Sequence, residues 1–224
     1  MIKNKRILIT GNTSGLGFAL TDLLLKKGNR VFSLSKRFLK KRENLRSQVC
    51  NLANLNSIDK ALNRLLKTKK LDYVFLNAGI LGKIDLMKNI KLKEIKEIFK
   101  INVFSNKKII DYLIKNKIKI KFVIGISSGA ALFPKYGWYL YCSSKSALKY
   151  MLEAYALEYP KIKFINLSPG LIKTKMQKLI YNINEKKIPS VKKFKKLNDL
   201  NKIPHPHTIA EKIIDMLPRI SKLK

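Results

Sequence analysis

The chain alternates short apolar runs with longer amphipathic stretches, and few folds accept that pattern. The apolar runs fall at Arg6–Thr10, Arg30–Ser35, Ser47–Leu52, Leu71–Asn77, Lys119–Ser127 and Lys161–Leu167. Helical periodicity occupies Leu16–Lys27, Ile58–Lys67, a long stretch from Leu92 to Lys117, and Tyr139–Tyr159. Buried runs of this length joined by helices read as parallel strands with right-handed crossovers. Six of them predict an α/β chain: one domain, residues 1–224, built as a doubly wound parallel sheet with helices on both faces. No internal repeat or Gly/Ser linker divides it. A last helix is expected over Ile209–Leu217, with Thr208 and Glu211 at capping-box spacing. The tail Pro218–Lys224 is short and charged, so a seventh strand is expected to be missing or remodelled.

Ligands in such sheets bind beyond the carboxyl ends of the strands. The first strand ends in Thr10-Gly11-Asn12-Thr13-Ser14-Gly15-Leu16-Gly17. A Gly-rich turn there lets a pyrophosphate approach the main chain and aims the free N–H groups of the first helix at it. An ordinary tight strand–helix turn would look the same in isolation. The second strand ends at Ser35-Lys36-Arg37. An acidic residue at that tip would bind the ribose hydroxyls of NAD, whereas cations suit a 2′-phosphate. The preferred cofactor is therefore NADP, with NAD as the alternative.

Charge enters here because it could point elsewhere. Lys and Arg number 48 against 14 Asp and Glu, a formal charge of +34. A nucleic acid or another phosphate-bearing partner is one reading. Compositional bias is the other, since Lys, Asn and Ile share AT-rich codons and the cations are spread along the chain. The even spread favours bias, and no specific nucleic-acid partner is expected. The densest run, Lys192–Lys196, reads as a solvated segment. No apolar run could span a bilayer, and Ile7-Leu8-Ile9 is too short for a secretory core. A cytoplasmic, membrane-free protein is the expectation. Cys50 and Cys142 form no disulfide framework, and His205 and His207 around Pro206 lack the partners a metal site needs.

Further motifs follow in order. Asn77-Ala78-Gly79 ends the fourth strand, Asn102 lies in the long helical stretch, and Ser127-Ser128 ends the fifth strand. Tyr141-Cys142-Ser143-Ser144-Lys145 opens a helix, and Ser168-Pro169-Gly170-Leu171-Ile172-Lys173-Thr174 follows the sixth strand. Tyr141 and Lys145 are four apart and share a helix face. An ammonium beside a phenol favours the phenolate, so Lys145 is expected to lower the pKa of Tyr141.

From Lys5 to Thr174 these motifs together resemble the short-chain dehydrogenase/reductase family. The resemblance implies a Rossmann-like fold and hydride transfer between NADP(H) and a carbonyl or alcohol. It implies Tyr141 as general acid/base, Ser128 as the residue orienting the substrate oxygen, Lys145 on the nicotinamide ribose and Asn102 holding a relay water. Ser128 is preferred to Ser127 because thirteen residues separate it from Tyr141, the family's usual spacing. The implied cofactor contacts are Gly11, Thr13, Ser14, Gly15, Leu16, Gly17, Ser35, Lys36, Arg37, Asn51, Leu52, Asn77, Ala78, Gly79, Tyr141, Lys145, Pro169, Gly170, Ile172 and Thr174. Asn51 stands where the family usually has aspartate, and Ser14 where some NADP-using members have a cation. Residues 175–204 are expected to form a variable substrate lid. Phe133, Tyr136, Trp138 and Tyr139 either line the substrate pocket or pack beneath its loop. The family's long-helix interface implies a homodimer. A dinucleotide-binding sensor with little turnover is the alternative function.

Overall fold

The computed structural model describes residues 2–38 and 40–220. Six parallel strands form one sheet: β1 (Arg6–Thr10), β2 (Arg30–Ser35), β3 (Leu45–Val49), β4 (Lys70–Leu76), β5 (Lys119–Ile126) and β6 (Lys163–Leu167). Their order is β3-β2-β1-β4-β5-β6, so the chain reverses its winding between β1 and β4. The strands read as unbroken apolar runs because both faces are covered. Leu8 of β1 faces one core with Leu34, Val74 and Val123. Ile7 and Ile9 face the other, with Phe75, Phe122 and Ile124.

Helices α2 (Ile58–Leu65), α4 (Ser105–Lys115) and α5 (Tyr139–Glu158) cover the first face. Helices α1 (Gly15–Lys26) and α8 (Pro206–Ile220) cover the second. Helix α3 (Leu92–Phe99) leads into α4 through a π turn at Lys100–Phe104. The stretch expected as one helix is thus continuous but widened by one surplus residue: the Ser105 N–H donates to the Lys100 carbonyl, five positions back.

Other boundaries move for local reasons. The third strand was expected at Ser47–Leu52. It pairs with β2 from Leu45 to Val49, and the chain turns at once, with Asn54 N–H on the Asn51 carbonyl at 2.9 Å. The last helix starts at Pro206, three residues before its expected start. Proline there needs no N–H partner and has its φ pre-set, so Thr208 lies inside the helix and caps nothing. Helix α8 is held to α1 where His207 Nε2 lies 3.6 Å from Asp22, which also pairs with Lys26 and Arg42 at 3.0 Å each. Among the described residues no three His, Cys, Asp or Glu side chains gather as metal ligands, and no helix is long and apolar enough to cross a membrane. Residues 218–220 continue α8, and the rest of the tail lies outside the described residues.

Candidate active site

A cleft of about 1470 Å³ opens beyond the carboxyl ends of β1, β4, β5 and β6. Its floor is the Gly turn. Gly11 has φ +70°, and a side chain there would begin 2.9 Å from Ala78 Cα. At Gly17 a Cβ would lie 2.3 Å from the Gly11 carbonyl oxygen and 2.4 Å from Asn77 Nδ2. Asn77 pins this turn to the sheet: its Nδ2 donates to the carbonyls of Thr10 (2.9 Å) and Gly11 (3.0 Å). The Thr10 hydroxyl accepts from the N–H groups of Asn77 and Ala78, both at 3.0 Å. Ser14 caps α1 with extended backbone and no side-chain bond, so the helix start faces the cleft without a covering oxygen. A side chain at either glycine would collide with the turn's own packing, so glycine keeps the turn tight and the helix start open, an arrangement that a pyrophosphate fits.

The adenine end is less uniform. Ser35 Oγ donates to the Arg37 carbonyl at 2.7 Å, turning the chain so that Lys36 and Arg37 stand exposed on the cleft rim. Neither makes an ion pair among the described residues. Leu52 lines the cleft as expected, together with Cys50. Asn51 does not: it is exposed, and its Oδ1 accepts the Ala53 N–H at 3.2 Å. That bond belongs to the turn that ends β3 early. Pro169, Gly170, Ile172 and Thr174 line the opposite wall, and the Thr174 hydroxyl caps α6 (Lys175–Tyr181) through the Gln177 N–H.

Ser128, Tyr141 and Lys145 meet in the cleft. Ser128 lies just past β5, where its Oγ accepts the Ala130 N–H at 3.2 Å and shares a hydrogen bond with the Tyr141 phenol. Burial pushes the Tyr141 pKa up, and the Ser128 bond only partly opposes it. The expected pull of Lys145 on the phenol does not appear. Its Nζ lies over the Tyr141 ring, 5.8 Å from the centroid, and donates to the Ile126 carbonyl at 2.7 Å. Burial brings Lys145 down to about 8. Asn102, expected to hold a relay water, is tied to the protein on both sides of the cleft. Its amide is fully engaged: Oδ1 accepts from Ile80 N–H (2.8 Å), and Nδ2 donates to the Ile80 carbonyl (2.9 Å) and to Ser144 Oγ (3.0 Å). The Asn102 carbonyl accepts from Asn106 Nδ2 at 2.8 Å. Asn102 is buried behind the cleft as a clamp between two of its walls.

A buried ammonium with a lowered pKa destabilises the fold in a known pH window. The penalty is present in full below pH about 8 and disappears as pH rises from there toward the ordinary lysine value of 10.5. Lys145→Met removes it, at the cost of one hydrogen bond. The variant, without added cofactor, is expected to melt roughly 2–6 °C higher than wild type at pH 7. That gain should shrink steadily between pH 8 and 10, and a melting point unchanged or lowered at pH 7 would contradict this electrostatic picture.

Residues 175–204 lie over the cleft as α6, a turn at Pro189–Val191 and α7 (Lys192–Asp199). They have their own small core with Leu81, Ala130, Trp138 and Cys142. Trp138 Nε1 donates to Ser190 Oγ at 2.9 Å, and Ser190 Oγ donates to the Tyr136 carbonyl at 2.7 Å. Phe194 stacks on Trp138 at 5.1 Å, with Lys135 Nζ 5.0 Å and 5.4 Å from the two rings. Lys187 pairs with buried Asp85 at 3.0 Å. The lysine run 192–196 is therefore not simply solvated, because Phe194 in its middle anchors this segment to Trp138. The four aromatics after Ser128 divide: Trp138 lines this cleft, whereas Phe133, Tyr136 and Tyr139 line a separate groove behind it.

Comparison with known proteins agrees with this fold. The family model described as short chain dehydrogenase matches residues 5–184. An uncharacterized oxidoreductase of Schizosaccharomyces pombe is 31% identical, covering 92% of this chain and 88% of that protein. A benzil reductase ((S)-benzoin forming) of Bacillus subtilis is 28% identical, covering 95% and 93%. Among solved structures, a Saccharomyces cerevisiae short chain dehydrogenase/reductase superposes with a TM-score of 0.82 at 24% identity, over 91% of this chain and 86% of that one.

Proposed function

The chain belongs to the short-chain dehydrogenase family, and we propose that it is an NADP(H)-dependent reductase of an apolar, ring-bearing carbonyl compound in which Tyr141 supplies the proton. The observation that carries this reading is the meeting of Ser128, Tyr141 and Lys145 in a cleft whose floor is the Gly11–Gly17 cradle. A nicotinamide dinucleotide, when bound, supplies or takes up the hydride. The cradle and the start of α1 would hold its pyrophosphate, and Lys36 and Arg37 a 2′-phosphate. Pro169–Thr174 would hold the nicotinamide end.

Carbonyl reduction also needs a proton on oxygen. The Ser128 hydroxyl, already bonded to the phenol, is placed to orient the substrate oxygen toward Tyr141. Burial keeps the phenol protonated through neutral pH, which makes Tyr141 a donor and favours the reductive direction. Lys145 Nζ, with a pKa of about 8, can hold a proton beside it and give one up near neutrality. The substrate end is lined by Leu81, Trp138, Ile180, Phe194 and Leu197. These side chains support a bulky apolar substrate, as does the similarity to benzil reductases. A panel of benzil, other aryl diketones and small aliphatic ketones, followed by loss of NADPH absorbance, tests the reading. Tight NADPH binding with no turnover across the panel would favour the sensor alternative.

We also propose that the protein acts in the cytoplasm as a homodimer through the faces of α3, α4 and α5. Leu92, Phe104, Tyr150 and Leu157 stand exposed on these elements and on the π turn. Light scattering at moderate ionic strength is expected to give the mass of two chains, and Tyr150→Glu with Leu157→Glu to give that of one. A dimer indifferent to both substitutions would place the interface elsewhere.

A further inference from the structure

We propose that Ser144 is a positioning residue that holds the Tyr141–Lys145 turn of α5 in register with the loop after β4, acting through Asn102. The proposal rests on the catalytic reading above. Ser144 is fully buried within the Tyr141–Lys145 segment. Its hydroxyl donates to the Tyr141 carbonyl at 3.0 Å, a common bond for a serine inside a helix. The same oxygen also accepts from Asn102 Nδ2 at 3.0 Å, which ties α5 to another element. Asn102 passes the tie on, because its amide grips both the N–H and the carbonyl of Ile80. One hydrogen-bonded line thus runs from the Tyr141 carbonyl through Ser144 and Asn102 to the Ile80 peptide.

The neighbour of Ile80 shows what this line positions. A Cβ on Gly79, which lines the cleft, would lie 3.2 Å from Asn102 Oδ1 and 3.6 Å from Lys145 Nζ. The loop, the clamp and the catalytic lysine are therefore packed against one another. The donors and the acceptor of the Asn102 amide are all used, so it cannot rotate without breaking a buried bond. Removing the Ser144 hydroxyl leaves one Nδ2 hydrogen without its partner and frees the first turns of α5 from the β4 loop. Tyr141 and Lys145 would stay folded in the cleft but lose their fixed relation to the wall at Gly79. Proton transfer tolerates little misplacement, and errors of about 1 Å can cost about 10²-fold.

Ser144→Ala is expected to bind NADPH as wild type does and to lose about tenfold or more in kcat on the best substrate of the carbonyl panel, with KM little changed. Adding Ser144→Ala to Asn102→Ala should cost nothing further, because the two act as one unit. Ser144→Thr should restore part of the rate. Without cofactor or substrate, hydrogen exchange at the Ile80 amide should quicken in Ser144→Ala. A normal kcat, or losses that multiply in the double variant, overturns the proposal. Ser144→Cys keeps the volume and weakens the donor, so it carries the same comparison should the alanine variant not fold. If Tyr141→Phe retained turnover, the reading of the site would fall and this proposal with it. An inactive Tyr141→Phe beside a normal Ser144→Ala would overturn this proposal alone.

Discussion

Tyr141→Phe is expected to bind NADPH nearly as wild type does and to lose about 10²–10⁴-fold in turnover, the usual contribution of a general acid. The ring keeps its edge contact with Trp138 at 6.2 Å and its place under the Lys145 ammonium. Only the hydroxyl and its bond to Ser128 disappear. A loss of binding would signal collapse of the cleft, whereas a loss of rate alone isolates the proton. The direction of the pKa shift sharpens the expectation. Burial raises the phenol above its ordinary 10, so the donor form persists across neutral pH and reduction should not slow through ionisation of Tyr141 below that value. A variant keeping more than half of wild-type turnover on the true substrate would remove Tyr141 from the chemistry.

The second large effect is expected at the cofactor rim. Lys36→Ala with Arg37→Ala should weaken NADPH binding while leaving NADH binding almost unchanged. A charge-assisted bond to a phosphate contributes about 1.5–3 kcal/mol when well formed. Both side chains are exposed, so solvent screening places the combined loss nearer the lower end, about 10- to 100-fold in the NADP/NAD ratio. The backbone beneath them is set by the Ser35–Arg37 hydrogen bond, which neither substitution removes. Calorimetric titration of both cofactors decides the matter. Equal affinity of the wild type for NAD and NADP would overturn the preference, as would a ratio that ignores the substitutions.

What could be read from the sequence was whatever depends on local spacing. Strand runs buried on both faces announce themselves, and the Gly turn, the serine past β5 and the Tyr–Lys pair sit where their order implied. The errors came from contacts that spacing does not encode. Tyr141 and Lys145 are four residues apart, and that correctly puts them on one helix face. It does not reveal that the ammonium would turn to the Ile126 carbonyl, or that burial would raise the pKa of the phenol. Asn51 was expected beside the adenine, but spacing did not reveal that the turn after β3 leaves it exposed and off the cleft lining. The anchor of residues 175–204 was not legible. A single phenylalanine among four lysines, Phe194, was the available signal, and its meaning depends on Trp138, far away in sequence.

The π turn at Lys100–Phe104 has a consequence for how this chain can vary. Such a turn is an α-helix carrying one surplus residue. Deleting a residue there would let α3 and α4 merge into a regular helix, which is the cheaper backbone. The turn absorbs that residue without rotating its flanks, so α3 and α4 would keep their relative phase and only the turn itself would close up. Asn102, inside the turn, would lose the position that brings it to Ile80 and Ser144, while the apolar contacts of α4 would be kept. A length change of one residue in this helix would thus trade activity for regularity, which makes the surplus residue a mark of function in a segment whose composition alone looks unremarkable.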